Sequence, residues 1–188
     1  KYFLNPNPVR IDVTVIIPTF NRANYLKRAI DSVLAQTVTC HCIVVDDGST
    51  DNSQQILKDY RNEIQLIKLK TNKGVSMARN VGVKAAKTDW VSFLDSDDEW
   101  KKDKLKKQFD YLSQKPLLQI SQCEESWIRH NKVLNKKKEH QKQEGWQFDL
   151  CLERCMISPS AVILKKELFE NYKGFNEALP VCEDYDLW

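Results

Sequence analysis

Trp90-Val91-Ser92-Phe93-Leu94-Asp95-Ser96-Asp97-Asp98-Glu99 is the stretch on which the reading of this chain turns. An apolar run of strand length ends in four acids within five residues. Such a cluster repels itself unless a cation relieves it, and two carboxylates two residues apart on a turn can offer hard oxygen ligands to Mg²⁺ or Mn²⁺. The alternative is a solvated turn opening the next helix, where acids favour the positive end of the helix dipole.

Working outward, the same pattern recurs upstream. Val13-Thr14-Val15-Ile16-Ile17 is a β-branched run ending at Pro18, whose missing N–H closes the strand. A loop, Pro18-Thr19-Phe20-Asn21-Arg22, leads to a helix over 25–36 with Leu26, Ile30, Val33 and Leu34 on one face. A second strand, Cys42 to Val45, ends at Asp46-Asp47-Gly48, and Ser49-Thr50-Asp51-Asn52-Ser53 offers cap oxygens to a helix burying Ile56, Leu57 and Tyr60. A third strand over 64–69 alternates apolar and polar residues, which places it nearer a sheet edge. The turn Thr71-Asn72-Lys73-Gly74 precedes a helix over 75–86 with Ala78, Val81 and Ala85 on one face.

Four alternations of strand and helix with short connections imply an α/β fold, a parallel sheet with helices on both faces. In such sheets ligands bind outside the carboxyl ends of the strands, where strand order reverses. Pro18 to Arg22, Asp46-Asp47 and Asp95 to Asp98 each follow a different strand, so the three loops are expected to meet in one cleft that takes a nucleotide and a metal.

The chain has 188 residues and is 41% apolar, enough for one domain with a sizeable core. No run reaches the roughly 18 apolar residues that cross a bilayer, and Lys1 to Arg10 lacks a signal-peptide core. The start without Met and the stop at Trp188 inside an apolar pattern lead to the expectation of an excerpt from something longer. A net charge of +3 is too balanced to imply nucleic acid. Lys101, Lys102, Lys104, Lys106 and Lys107 are read as the wet face of a helix that buries Leu105, Phe109 and Leu112. Lys132, Lys136, Lys137, Lys138 and Lys142 read as an exposed loop. Six cysteines without a Cys-x-x-Cys pair are read as reduced thiols of a cytosolic protein, with zinc on Cys40, Cys42 and a distant pair as the alternative. Leu118 to Cys123 and Ala161 to Leu164 read as strands, Phe148 to Met156 as a short helix with Leu152 and Cys155 inward, and Lys166 to Tyr172 as a helix closed by Gly174.

Five motifs in order resemble the family-two glycosyltransferases of GT-A fold: Val15-Ile16-Ile17-Pro18-Thr19-Phe20-Asn21-Arg22; Val44-Val45-Asp46-Asp47-Gly48-Ser49-Thr50-Asp51; Asn72-Lys73-Gly74-Val75-Ser76-Met77-Ala78-Arg79-Asn80; Phe93-Leu94-Asp95-Ser96-Asp97-Asp98; and Glu183-Asp184-Tyr185-Asp186-Leu187-Trp188. Each alone is weak, and five in register are specific. The resemblance covers 13–188 and implies a Rossmann-like GT-A fold with a mostly parallel central sheet. It divides one domain into a lead-in (1–12), a nucleotide-sugar-binding half (13–100) and an acceptor-side half (101–188) truncated at its C-terminus.

The resemblance also implies roles. Asp97 would hold the Mn²⁺ or Mg²⁺ that bridges the donor diphosphate, and Asp95 would contact the ribose or a metal-bound water. Asp47 would read the base, Asp46 would lie beside it or act as a structural cap, and Pro18, Thr19, Asn21 and Arg22 would line the donor pocket. Arg79 would meet the nucleotide with Lys73 nearby, since a permanent guanidinium charge suits phosphate. Asp184 would be the general base that activates the acceptor hydroxyl for inverting attack, with Glu183 orienting the acceptor or the metal shell. The helix-opening reading of Glu183, Asp184 and Asp186 stands beside this. Trp127 and Trp146, in the polar stretch 124–142 and just after it, would stack on sugar rings or cover the core.

The expected partners are a UDP-sugar and a saccharide or lipid-linked acceptor, with no nucleic acid and no transmembrane segment. The expected setting is cell-surface polysaccharide or glycan biosynthesis in the cytoplasm, at the inner membrane face. A non-catalytic sugar-nucleotide-binding module is the alternative from another class. A dehydrogenase would need Gly-x-Gly-x-x-Gly after a strand, and none of the five glycines is so placed.

Overall fold

Val13–Thr19 forms β1, and all seven of its residues are buried. Its unbroken apolar character follows from being covered on both faces. Val13, Val15 and Ile17 pack with α1 (Ala23–Leu34), α2 (Ser53–Asp59) and α4 (Lys104–Gln114) on one side. Ile16 packs with α3 (Val75–Ala85) and α6 (Lys166–Asn171) on the other. The protein, seen here as a computed structural model, is described over residues 12–130, 132–135, 137, 140–145 and 147–188. The lead-in before Asp12, Lys136, Lys138 and Trp146 lie outside the described residues.

β2 (His41–Asp46), β3 (Gln65–Lys68), β4 (Trp90–Phe93), β5 (Ile120–Gln122) and β8 (Val162–Lys165) join β1 in a six-stranded sheet of order β3-β2-β1-β4-β8-β5. β3, β2, β1 and β4 run parallel, and β8 runs antiparallel to both β4 and β5. The short hairpin β6 (Ile128–Arg129) and β7 (Lys132–Val133) stands apart. Helices α5 (Phe148–Glu153) and α7 (Glu183–Leu187) and a 3₁₀ turn, Pro159–Ala161, complete the described elements. From β1 the chain builds outward through β2 to β3, then crosses to β4 on β1's other side. The reversal of order between β1 and β4 opens the crevice where an open α/β sheet binds its ligand.

Close packing sets the distance between layers. A Cβ on Gly82 of α3 would come within 2.4 Å of Ile16 Cγ2, so only glycine lets this helix lie so near β1. The edge position expected of the third strand is found, since β3 pairs only with β2.

Several expectations are corrected. β1 continues through Pro18 to Thr19 rather than ending at the proline. Ile16 O accepts from Leu94 N–H (3.0 Å) and Thr19 O from Asp47 N–H (2.8 Å), so alternate residues face β4 and β2. Pro18 therefore faces the β4 side, beyond the last strand residue Phe93, where no ladder donor is needed. Lys104 does not belong to a wet face. It is buried, with Nζ donating to Ser92 Oγ (3.1 Å) and lying 3.7 Å from the centre of the Trp100 ring. Leu34 and Leu152 are exposed, as is Cys155, which falls beyond the end of α5. Asn52 caps α2 without a side-chain bond, and it is Asp51 Oδ1 that accepts Ser53 N–H (2.9 Å).

Candidate active site

The loops after β1 and β2 are tied into one unit. Asn21 adopts a left-handed backbone (φ 52°), which asparagine tolerates better than most residues. In that pose its Oδ1 accepts the N–H groups of Thr50 (2.8 Å) and Asp51 (3.2 Å), while its own N–H donates to Ser49 Oγ (3.0 Å). Arg22 N–H donates to Ser53 Oγ (3.2 Å), and Ala23 N–H to Asp51 Oδ2 (3.0 Å). Asn21 thus spends its amide oxygen on bracing the rim. Thr19, at the floor of this rim, has a buried hydroxyl with no partner among the described residues. An unmatched buried hydroxyl is costly, so it marks a place where a ligand group or water fits.

Asp46, the last residue of β2, and Asp47, the first after it, are both buried and divide their work. Asp46 Oδ1 accepts Ser49 N–H (2.9 Å), the structural cap that was one of its two readings. Asp47 reaches across to the loop before α3, where Oδ1 accepts Lys73 N–H (2.7 Å) and Oδ2 accepts Gly74 N–H (2.8 Å). Backbone amides compensate this carboxylate, leaving further lone pairs on each oxygen. Gly48, between the two loops, permits this approach: at φ +77° its added Cβ would meet Thr71 C at 2.8 Å. The side chain of Lys73 is exposed.

Arg79 is the hinge of the site. It is 3% exposed on α3, with Nη2 donating to Asp95 Oδ1 and Nη1 to Glu183 Oε1, each at 2.7 Å, and its guanidinium lies 5.0 Å from the Phe175 ring centre. Burial alone would lower its pKa, but the carboxylates of Asp95 and Glu183 hold it raised. The planar fork of an arginine can serve two acids at once, as a lysine cannot. Residues 79, 95 and 183, far apart in sequence, therefore meet at one point. Asn80 supports the same junction, since its amide donates to Phe175 O (2.8 Å) and accepts Phe175 N–H (3.0 Å), fixing the segment that leads into α7.

Asp97 projects from the turn after β4 with its side chain 52% exposed; Arg28 Nη2 donates to its backbone carbonyl (2.6 Å), and its carboxylate has Arg22 Nε at 3.9 Å. Asp98 N–H donates to Asp95 O (2.9 Å), closing this turn. Loss of water around its carboxyl pushes Asp98 up in pKa, with Asp95, Asp97 and Glu125 adding to the shift. No group of three or more His, Cys, Asp or Glu among the described residues forms a ready metal cage. The donor set instead suits a hard cation held by one or two carboxylates and completed by substrate phosphate oxygens and water, the usual manner of Mg²⁺ binding. Asp97 offers an accessible carboxylate for this, and Asp95 keeps Oδ2 beyond its bond to Arg79.

Asp184, on α7, accepts its neighbour Tyr185 N–H at Oδ1 (2.9 Å) and the Cys155 thiol at Oδ2 (3.4 Å). Burial, then the charge of Asp184, pushes the Cys155 thiol up to about 11. Trp127, placed by the sequence among possible sugar-stacking residues, is 39% exposed and stacks at a tilt on His140, 5.1 Å between ring centres. Sequence reasoning assigned no part in the site to Asn80, to Cys155 or to Ser160, whose hydroxyl accepts Asp95 N–H (3.1 Å). Asn80 stood inside a quoted motif and was open to detection, whereas Cys155 becomes relevant only when folding brings it to Asp184.

Asp47, Asp95, Asp97 and the Glu183 carboxylate of α7 gather at the carboxyl end of the parallel strands, the place where an open α/β sheet binds its ligand. Residues 14–172 match the model of Glycosyl transferase family 2, and the chain belongs to that family. It is 33% identical over 182 residues to the uncharacterized glycosyltransferase RT0329 of Rickettsia typhi, covering 94% of this chain and 57% of that protein. It is 40% identical over 107 residues to TuaG of Bacillus subtilis, named as a teichuronic acid biosynthesis glycosyltransferase, covering 55% and 42% respectively. Among solved structures, S. aureus TarS in complex with UDP superposes with a TM-score of 0.81 at 26% identity, covering 94% of this chain and 54% of that one. TarS in complex with UDP-GlcNAc gives 0.79 at 27%, covering 94% and 52%. The fold is GT-A, and the chain is a glycosyltransferase domain spanning about half the length of these relatives.

Proposed function

We propose that this domain transfers a sugar, with inversion, from a UDP-sugar to an acceptor hydroxyl, using Mn²⁺ or Mg²⁺ and Asp184 as general base. The observation that carries the reading is the Arg79 bridge, which gathers the acidic turn after β4 and the start of α7 on one side of the crevice. The likeness to TarS with UDP and UDP-GlcNAc supports a uridine donor.

Residues 13–100 form the donor half. The base lies over Pro18 and the unmatched hydroxyl of Thr19, with Asp47 accepting its imide N–H. Asp95, turned by Arg79, faces the ribose or a metal-bound water, and Lys73 flanks the diphosphate. Asp97 holds the cation, with Arg22 beside it. The cation supplies Lewis-acid neutralisation of the charge that gathers on the diphosphate. Residues 101–188 form the acceptor side. Asp184 takes the proton from the acceptor hydroxyl as that oxygen bonds to the anomeric carbon. The carbon's bond to the diphosphate oxygen breaks on the opposite face, so configuration inverts. Glu183 orients the acceptor side and is itself fixed by Arg79. The acceptor is a saccharide or lipid-linked saccharide in cell-surface glycan assembly, a setting supported by the name of the TuaG relative. No helix among the described residues is long and apolar enough to cross a membrane, and we place the work at the cytoplasmic membrane face.

The test is thermal. UDP with Mn²⁺ is expected to raise the melting temperature of the parent protein, and Asp97→Asn to abolish most of that rise. At one hundred times Kd the linkage is worth about 2.7 kcal/mol, a shift of several degrees. A parent protein whose melting is unmoved by UDP, GDP or dTDP with metal sinks the reading. Donor binding without any release of UDP from UDP-sugars would favour a binding module over an enzyme.

A further inference from the structure

We infer that Arg28 of α1 is a positioning residue for the backbone of the acidic turn after β4, an inference that rests on the reading of Asp97 as the residue that meets the cation. A carboxylate that takes a cation from solution has to be open to it, as the half-exposed Asp97 side chain is, so packing does not fix it. The backbone from which it springs can be fixed. Arg28 Nη2 donates to the carbonyl oxygen of Asp97 (2.6 Å), a charge-assisted bond to the very residue that meets the cation. The same guanidinium lies 5.8 Å from the Tyr25 ring centre, and its Nε is 3.6 Å from Glu99 Oε2, so Arg28 is itself steadied from two further sides.

Arg28 does not act alone. Arg28 and Ser32 of α1 and Gln36 just past its end are spaced by four residues, and side chains so spaced form a row along one side of a helix. Each bonds to main chain of the segment that follows β4. Ser32 Oγ accepts Trp100 N–H (3.1 Å), and Gln36 donates from Nε2 to Lys101 O (2.9 Å) while its Oε1 accepts Leu105 N–H (3.1 Å). The row therefore follows the chain from residue 97 to residue 105, with Arg28 at the end that reaches Asp97. The start of α1 is tied to the loop after β2, through Arg22 N–H on Ser53 Oγ (3.2 Å) and Ala23 N–H on Asp51 Oδ2 (3.0 Å). One helix thus joins the rim of the donor pocket to the acidic turn.

Charge and position predict opposite signs for the loss of Arg28. Its guanidinium stands beside the place where a cation would bind, so if it acted through charge alone its removal would relieve repulsion and tighten Mn²⁺. If it holds Asp97, its removal weakens Mn²⁺ although a repelling charge has gone. Residues that orient a metal ligand at one remove typically change metal affinity by 10- to 100-fold when lost. A hold on the ligand's backbone acts one step further back, and about fivefold is expected. The fold should survive, since the Arg28 and Glu99 side chains are 50% and 60% exposed and such a pair adds little to stability.

The experiment measures free Mn²⁺ by electron paramagnetic resonance during titration of protein saturated with UDP, at a temperature well below every melting point. Arg28→Met keeps the aliphatic stem and is expected to raise the Mn²⁺ Kd about fivefold or more. The affinity for UDP without metal, read by calorimetry, is expected to stay within about twofold of the parent, because the bonds of α1 to the loop after β2 are untouched. A Mn²⁺ Kd that is lowered or unchanged within twofold overturns the inference. So does an equal weakening of UDP without metal, which would mark general damage to α1. A parent protein that takes up no Mn²⁺ with UDP instead removes the reading of Asp97 on which it stands.

Discussion

Arg79→Met separates two accounts of the arginine, phosphate ligand or internal strut. The substitution keeps a buried aliphatic stem and removes the guanidinium. In the folded protein that group is 3% exposed and makes two charge-assisted bonds of 2.7 Å, to Asp95 and to Glu183. Hydrogen bonds to charged partners contribute about 1.5–3 kcal/mol each, and stripping one member from a buried ionic group costs about 3–5 kcal/mol because the others remain charged and unmatched. The Glu183 side chain is 13% exposed and that of Asp95 32%, so water relieves Asp95 in part, and about 3 kcal/mol is the working figure. For a chain of this size each kcal/mol moves the melting point by roughly 2–4 °C, so the ligand-free variant should melt about 6–12 °C lower. The loss should also be local. α7 has no buried residue of its own, so amide exchange over Glu183–Leu187 should quicken more than in β1. Arg79→Lys, able to reach one acid well and not both, should fall about midway. Calorimetry without nucleotide decides the matter: a ligand-free Arg79→Met melting within about 1 °C of the parent would refute the strut and return Arg79 to phosphate binding alone.

Two further outcomes follow from packing. Burial depresses the Lys104 amine to about 7 from 10.5, with no carboxylate among the causes that act against it. Between those two values the unfolded chain holds a proton that the folded one lacks, so stability climbs as pH rises from about 7 to 10, and below about 7 the full cost of a buried charge is paid. Lys104→Met should therefore stabilise the protein by on the order of 2 kcal/mol at pH 6 and less at pH 9, measured by urea unfolding at both values; an equal or negative effect at pH 6 contradicts the assignment. Gly82→Ala places a Cβ 2.4 Å from Ile16 Cγ2 and should destabilise by about 1–3 kcal/mol despite alanine's higher helix propensity, read as a lower denaturant midpoint at unchanged slope.

The first hundred residues were legible because their strands are central. Val13 to Ile17, Cys42 to Val45 and Val91 to Phe93 are covered on both faces, and covered strands leave largely apolar runs in the sequence. Their polar residues then fall at the carboxyl ends, where topology alone collects them. Beyond residue 100 the strands expected over 118–123 and 161–164 are found as Ile120–Gln122 and Val162–Lys165, but runs of three and four residues carry no sign of direction, so their antiparallel pairing was not legible. Lys104 misled for a related reason. Helical spacing places it one position before the buried Leu105, and only the cavity between Ser92 and Trp100 shows that it points inward. Ser160 carried no signal either, since a serine after a proline reads as a turn breaker until the acidic turn is folded onto it.

The acids of the crevice can be sorted by what already satisfies them. Asp46 has the N–H of Ser49, and Asp47 has those of Lys73 and Gly74. Asp95 and Glu183 divide one guanidinium, whereas loss of water and the charges of Asp95, Asp97 and Glu125 disfavour the ionised form of Asp98. Asp97 is left with Arg22 at 3.9 Å between two half-exposed side chains, a pair worth little in water. Asp184 is left with a thiol at 3.4 Å, a weak donor, and the N–H of its own neighbour. A protein that matches Asp46, Asp47, Asp95 and Glu183 with backbone or arginine donors, and leaves Asp97 and Asp184 with weak partners, keeps the charge of these two available to something that arrives from solution. A cation drawn to Asp97 and a hydroxyl proton drawn to Asp184 are the two arrivals that proposed sugar transfer requires, and the same fixed donors that quiet the neighbouring acids keep them from competing for either.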